Sequence, residues 1–182
     1  MPKKKKNLTC SDCGTLNCYL CMISDNQTGP VGLGGGIYTT DVGNRVTLVD
    51  SSVAFNSAAL GGGIYSDGGT LTVIGTMAGG GLVMSLDLAY NTAASAGGGL
   101  YQTGSGAKST FDGAGVIANS TNGGGADIGG GCCLDGGSAS FTDFSWVAGN
   151  WATLGTAIAY QNPGANWSKD LTSQVTGSIY VY

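Results

Sequence analysis

At 182 residues the chain has room for one domain with a proper core and too little for two. With 42% hydrophobic and only 10% charged residues it is not simply disordered, and its 35 glycines fall in clusters such as Gly34-Gly35-Gly36, which excludes the regular spacing of collagen. Four of the seven basic residues are Lys3–Lys6; the other three (Arg45, Lys108, Lys169) face eleven acidic ones, so the body repels a phosphate backbone and nucleic acid is not an expected partner.

All eleven acidic residues are aspartate, a turn former, and glutamate, a helix former, is absent. No helical period survives, so an all-β chain rich in tight turns is expected. No stretch of eighteen apolar residues exists, and no transmembrane segment is expected. Lys3–Lys6 lead into the polar run Asn7-Leu8-Thr9-Cys10-Ser11-Asp12-Cys13, which cannot serve as the apolar region of a signal peptide. The lysine run reads as a solvated tail.

Residues 1–25 form a Lys- and Cys-rich segment with the pattern Cys10-x2-Cys13-x4-Cys18-x2-Cys21. Two CxxC pairs supply enough thiolates for zinc, but four intervening residues are far fewer than zinc ribbons use. A disulfide-tied cap, a metal knot, free thiols and leader sequence all stay open for these four positions. No other cofactor is expected.

From residue 26 to 182 the chain repeats. Segments start at Asn26, Asn56, Asn91, Asn119 and Asn150, at spacings of 30, 35, 28 and 31. Four of these asparagines end an aliphatic-x-x-Asn motif: Val53–Asn56, Leu88–Asn91, Val116–Asn119 and Val147–Asn150. A glycine triplet follows, in Gly34-Gly35-Gly36-Ile37-Tyr38, Gly61-Gly62-Gly63-Ile64-Tyr65, Gly97-Gly98-Gly99-Leu100-Tyr101, the variant Gly129-Gly130-Gly131-Cys132-Cys133 and the degenerate Gly155-Thr156-Ala157-Ile158. Alternating strands complete each unit, as in Val46-Thr47-Leu48-Val49 and Leu71-Thr72-Val73-Ile74.

A period near 30 holding three short strands predicts a right-handed parallel β-helix, a β-solenoid of about five coils. Stacked asparagines would turn the corners in left-handed conformation and bond to one another through their amides. Triple glycine would allow close approach between coils. Ile or Leu after the triplet would face inward, and Tyr38, Tyr65 and Tyr101 would form an outward ladder, with Tyr160 nearby in the last coil.

The pairing of GGGIY or GGGLY with aliphatic-x-x-Asn, over about residues 26–160, resembles the repeats of bacterial polymorphic outer-membrane proteins. Those repeats carry GGA(I/L/V) and FxxN motifs in the β-helical passenger domains of autotransporters. Here Gly replaces Ala in the third triplet position, and Val or Leu stands where the family has Phe. The resemblance implies surface or extracellular display.

Further candidates are weighed individually. Cys132 takes the inward Ile/Leu position and reads as a small apolar core residue. Asp41, Asp67 and Asp135 follow the triplets at similar distances, but Asp-Gly is a turn signal and the calcium nonapeptide pattern is missing. With no histidine and no catalytic constellation, an enzyme is not expected. The tyrosine ladder offers a binding wall for a glycan or a partner protein. The tail Ser178–Tyr182 alternates like a strand without a polar cap, an end able to recruit another subunit. The leading expectation is therefore a non-enzymatic, surface or extracellular structural and adhesive module. A self-assembling filament, fibre or capsid-type subunit stacked through its ends is the alternative, and a polysaccharide-acting β-helix enzyme comes third.

Overall fold

The computed structural model describes residues 8–10, 14–75, 87–125, 127–161 and 164–182. They form a parallel β-solenoid in which every strand pairs with its counterpart one coil away. The first coil holds β1 (Leu8–Cys10), β2 (Thr15–Tyr19) and β3 (Met22–Ser24); the second holds β4 (Ile37–Thr40), β5 (Arg45–Val49) and β6 (Ser52–Ala54). The third coil contains β7 (Ser57–Leu60), β8 (Ile64–Asp67), β9 (Thr70–Ile74) and β10 (Leu88–Ala89), and the fourth β11 (Thr92–Ala96), β12 (Leu100–Thr103), β13 (Lys108–Asp112) and β14 (Gly115–Ile117). The fifth has β15 (Ser120–Thr121), β16 (Cys132–Asp135), β17 (Gly137–Thr142) and β18 (Trp146–Ala148). The sixth has β19 (Ile158–Tyr160), β20 (Ala165–Lys169) and β21 (Gln174–Val175), and β22 (Ile179–Val181) closes the chain. No helix of the described residues is long and apolar enough to cross a membrane.

Three long walls result. The first runs β1-β4-β8-β12-β16-β19-β22, the second β2-β5-β9-β13-β17-β20, the third β3-β6-β10-β14-β18-β21. A short fourth wall, β7-β11-β15, is lengthened by single bridges at Gln27–Ser57 and Ser120–Trp151. All five Asn-initiated segments are coils. Among the described residues the count is nevertheless six, because residues 8–10 and 14–24 of the Cys-rich segment pair in register with the second coil: Leu8 with Ile37, Leu16 with Val46 and Ile23 with Val53. That first coil carries no glycine triplet among its described residues, which is why the repeat did not reveal it. The long 35-residue spacing is taken up between β9 and β10, where residues 76–86 lie outside the described part.

Inside, like stacks on like. Ile37, Ile64, Leu100, Cys132 and Ile158 form one buried column along the first wall. Leu48, Val73, Phe111 and Phe141 form another along the second, where the two phenyl rings stack at 5.0 Å. Val53, Leu88, Val116 and Val147 line the third wall. The aliphatic residue of each aliphatic-x-x-Asn motif is thus a core residue.

The asparagine ladder closes the corner after the third wall. Asn91 Oδ1 accepts both the backbone N–H and the side-chain amide of Asn56, each at 3.0 Å. Asn91 Nδ2 in turn donates to Asn119 Oδ1 at 3.0 Å and to the carbonyl of Val53 at 2.8 Å. The pattern recurs from Asn26 to Asn150. The amide bonds between stacked asparagines are as expected; the left-handed backbone is not where it was placed. It falls on the residue before each asparagine: Asp25, Phe55, Tyr90, Ala118 and Gly149, with φ between 54° and 64°. That placement frees the asparagine amide to point into the wall instead of bonding its own turn. A second corner ladder, unseen in the sequence, uses serine: the Ser51, Ser145 and Ser173 hydroxyls accept the N–H of Cys21, Ala114 and Ser145 in the preceding coil.

The triplet has three separate reasons, seen at Gly61-Gly62-Gly63. Gly61 has φ +62°. A Cβ on Gly62 would lie 2.4 Å from the Thr92 carbonyl oxygen and 2.5 Å from that of Gly98, both in the next coil. A Cβ on Gly63 would meet Leu88 Cδ1 at 2.6 Å and Asn91 Nδ2 at 2.8 Å. At the middle glycine the clash is with the backbone of the following coil, which explains the degenerate last triplet. After β21 the chain passes through Gly177 straight into β22, with no fourth wall laid over Thr156 and Ala157. Thr156 is free to keep its side chain, and its Oγ1 lies 3.2 Å from Ser178 Oγ.

Two stability predictions follow from this geometry. Asn91→Ala strands several buried partners at once and is expected to lower unfolding stability by about 3 kcal/mol in urea titrations. Gly62→Ala is expected to cost more than about 4 kcal/mol or prevent folding, whereas Thr156→Ala costs about 1 kcal/mol or less. Equal effects at Gly62 and Thr156 would refute the directional reading of the triplet.

Candidate functional site

The outer face of the first wall carries the tyrosine column. Tyr38, Tyr65 and Tyr101 pair in register, half-buried, with ring centroids 5.5 Å apart at each step. Tyr101 donates its hydroxyl to Asp135 Oδ2 at 3.0 Å. Burial, reinforced by that bond, pushes the Tyr101 hydroxyl well above the usual phenol range. The column then continues through Cys133 and Ala159 to Tyr180. Tyr160 is not part of it; it shares the register of Gln102 and Leu134 and packs against the core.

Cys132 and Cys133 sit at successive positions of β16, so their side chains leave opposite faces of the strand. Cys132 is in the core, as expected. Cys133 faces out yet is buried, with Tyr182 Oη 3.6 Å from its sulfur. Burial pushes the Cys133 thiol up to about 12, against a smaller downward pull from the Tyr182 hydroxyl. The last residue of the chain, stacked on Tyr180, thereby fills the gap in the tyrosine column.

Of the four N-terminal cysteines, Cys13 and the side chain of Cys10 lie outside the described residues. Cys18 faces the core opposite Leu48, and Cys21 sits half-exposed in the turn after β2; both are free thiols. Burial and the adjacent Cys21 thiol raise the pKa of Cys18. Among the described residues no three metal-ligating side chains come together. Asp67 and Asp135 share a register two coils apart with Thr103 between them, while Asp41 turns the loop beyond Thr40 with φ +89°. Stacking does not gather them.

One surface feature was not singled out in the sequence. Phe55 and Tyr90, each directly before a ladder asparagine, are 59% and 46% exposed and lie parallel, with centroids 5.1 Å apart and 3° between planes. Both hold φ near +55°, where a bulky residue costs about 1–2 kcal/mol and where Asp25, Ala118 and Gly149 serve in the other coils. Ring stacking returns about 0.5–1.5 kcal/mol, so stability gives no net reason for the pair. Beside them a bay of about 480 Å³ opens on the third wall, lined by Met22, Ser24, Asp25, Ser52, Ala54 and Ala89 as well as the two rings. Ser24 donates its hydroxyl to Asp25 Oδ2 at 2.9 Å. The shared phase of two aromatics in front of Asn56 and Asn91 was the available sequence signal.

No protein-family model, curated protein or solved structure matches this chain.

The thiols give a pH prediction with a definite sign. A folded-state pKa of about 12 for Cys133, against about 8.5 in the unfolded chain, means that the folded state holds the proton more tightly. Its stabilising contribution is complete below about pH 8.5 and declines as pH rises towards 12. Chemical denaturation across that window is expected to show falling stability, with a shallower fall in Cys133→Ala. At pH 8 Cys21 is expected to react with a thiol reagent well before Cys133, and Tyr182→Ala to accelerate Cys133.

Proposed function

We propose that this chain is a non-enzymatic structural and adhesive β-solenoid of the passenger type, displayed at a cell surface or outside the cell. The observation that supports this reading is the outer tyrosine column: three rings held at the coil repeat on a rigid wall, a row suited to many weak contacts with a glycan or protein surface. The repeat motifs resemble those of the polymorphic outer-membrane proteins, and the asparagines and glycines that define them serve the coil itself. Binding therefore falls to the residues between these landmarks. An acidic body makes nucleic acid an unsuitable partner.

A second reading, end-to-end assembly, is favoured by one observation. Among the described residues β20, β21 and β22 form the edges of the three long walls, with Leu171, Ile179 and Val181 exposed around them. Open strand edges and apolar side chains together form a template for another copy.

Beads coated with the chain are expected to adhere to glycan- or protein-coated surfaces, and the Tyr65→Ala/Tyr101→Ala double variant to lose that adhesion; undiminished adhesion would remove the tyrosine wall from the proposal. Light scattering separates the second reading: a mass near 18.0 kDa at all concentrations would refute assembly through the ends.

A further inference from the structure

We infer that the bay beside Phe55 and Tyr90 is a binding site for a neutral pyranose oligosaccharide, in which one sugar ring stacks on the outer face of Phe55 over the Asp25 corner. The inference rests on the reading of this chain as a binding solenoid, but it uses a different wall and different residues from the tyrosine column.

The column of residues preceding the ladder asparagines runs Asp25, Phe55, Tyr90, Ala118, Gly149 along the solenoid. Phe55 and Tyr90 cover each other's inner faces. Their neighbours in the column, Asp25 and Ala118, are too short to cover the outer ones. A flat apolar face 59% exposed, at the rim of a bay, matches the C–H face of a pyranose ring, which is apolar and of similar width.

Sugars also need polar partners for the hydroxyls around the ring edge. The bay supplies them where the stacked ring would lie: the Asp25 carboxylate, the Ser24 hydroxyl bonded to it and the Ser52 hydroxyl. A carboxylate accepts from two adjacent hydroxyls, and a serine hydroxyl both donates and accepts. The remaining lining, Met22, Ala54 and Ala89, is apolar and small enough to leave an open floor. A volume of about 480 Å³ lies within the range of small-ligand sites.

The charge of the site selects among sugars. Among the described residues no lysine or arginine lines the bay, and Asp25 is the ionisable acid there. A uronate, a sulfated sugar or a phosphate would be repelled by that carboxylate and by the acidic body. Neutral hexose chains meet no such penalty.

Backbone geometry supplies the clean variant. Glycine occupies the equivalent position at Gly149, so Phe55→Gly and Tyr90→Gly suit the left-handed corner and are expected to leave the melting temperature unchanged. Titrations of the full chain with cellohexaose, mannohexaose, xylohexaose and oligogalacturonate, followed by calorimetry and by saturation transfer to the sugar protons, test the site. At least one neutral hexamer is expected to bind, with affinity falling tenfold or more in Phe55→Gly, threefold or more in Asp25→Ala, and unchanged in Tyr65→Ala/Tyr101→Ala. Absence of neutral-sugar binding, binding of oligogalacturonate alone, or full affinity in Phe55→Gly would each overturn the assignment. So would self-association of the chain that Phe55→Gly abolishes, which would make the bay an interface between copies. Any of these results leaves bead adhesion through the tyrosine wall to stand or fall by its own variants.

Discussion

Each coil lies on the next at hydrogen-bonding distance on three long walls and most of a fourth, and this close stacking governs every recurring residue. A side chain is acceptable only if the coil laid over it leaves room. At Gly62 the room is nil, because carbonyl oxygens of Thr92 and Gly98 occupy the place of a Cβ. At Thr156 the overlying chain cuts across the corner, and a branched hydroxyl residue fits. The same stacking puts identical positions face to face, so an asparagine bonds an asparagine, a serine corner is repeated as serine, and Phe111 meets Phe141.

Much of this was legible in the sequence because stacking converts structure into periodicity. The asparagines and triplets revealed the coil, its inward Ile and Leu residues and its outward tyrosines. The first coil stayed hidden, since its described residues, Leu16, Cys18 and Ile23, supply core positions without a triplet to mark them. The left-handed corner residue was misplaced by one position. Asparagine is the usual occupant of such a conformation, but here its amide is needed in the ladder, and the strain passes to its neighbour. Tyr160, expected only near the ladder, stands one position beyond the column register that Ala159 occupies.

The surface was far less legible. Whether an aromatic ring covers a wall or offers a face depends on the lengths of its neighbours one coil either side, some 30 residues away in sequence. Tyr65 lies between two rings and has both faces taken. Phe55 lies between a ring and an aspartate and keeps one. Likewise Cys133 takes the outward position that tyrosine holds in other coils yet is buried beneath Tyr182, a contact between residues 49 apart that no local pattern announces.

The asparagine ladder also bears on how the chain reaches its native state. Each amide carbonyl serves the coil before it, and the bonds span separations of only 28 to 38 residues. Contacts of such uniform, short range let folding spread coil by coil from wherever two neighbours first dock, without a single long loop to close. Cooperativity is then only as strong as the weakest junction. The rung at Asn91 therefore acts as a fastening between the third and fourth coils, and its loss would weaken that junction more than any other.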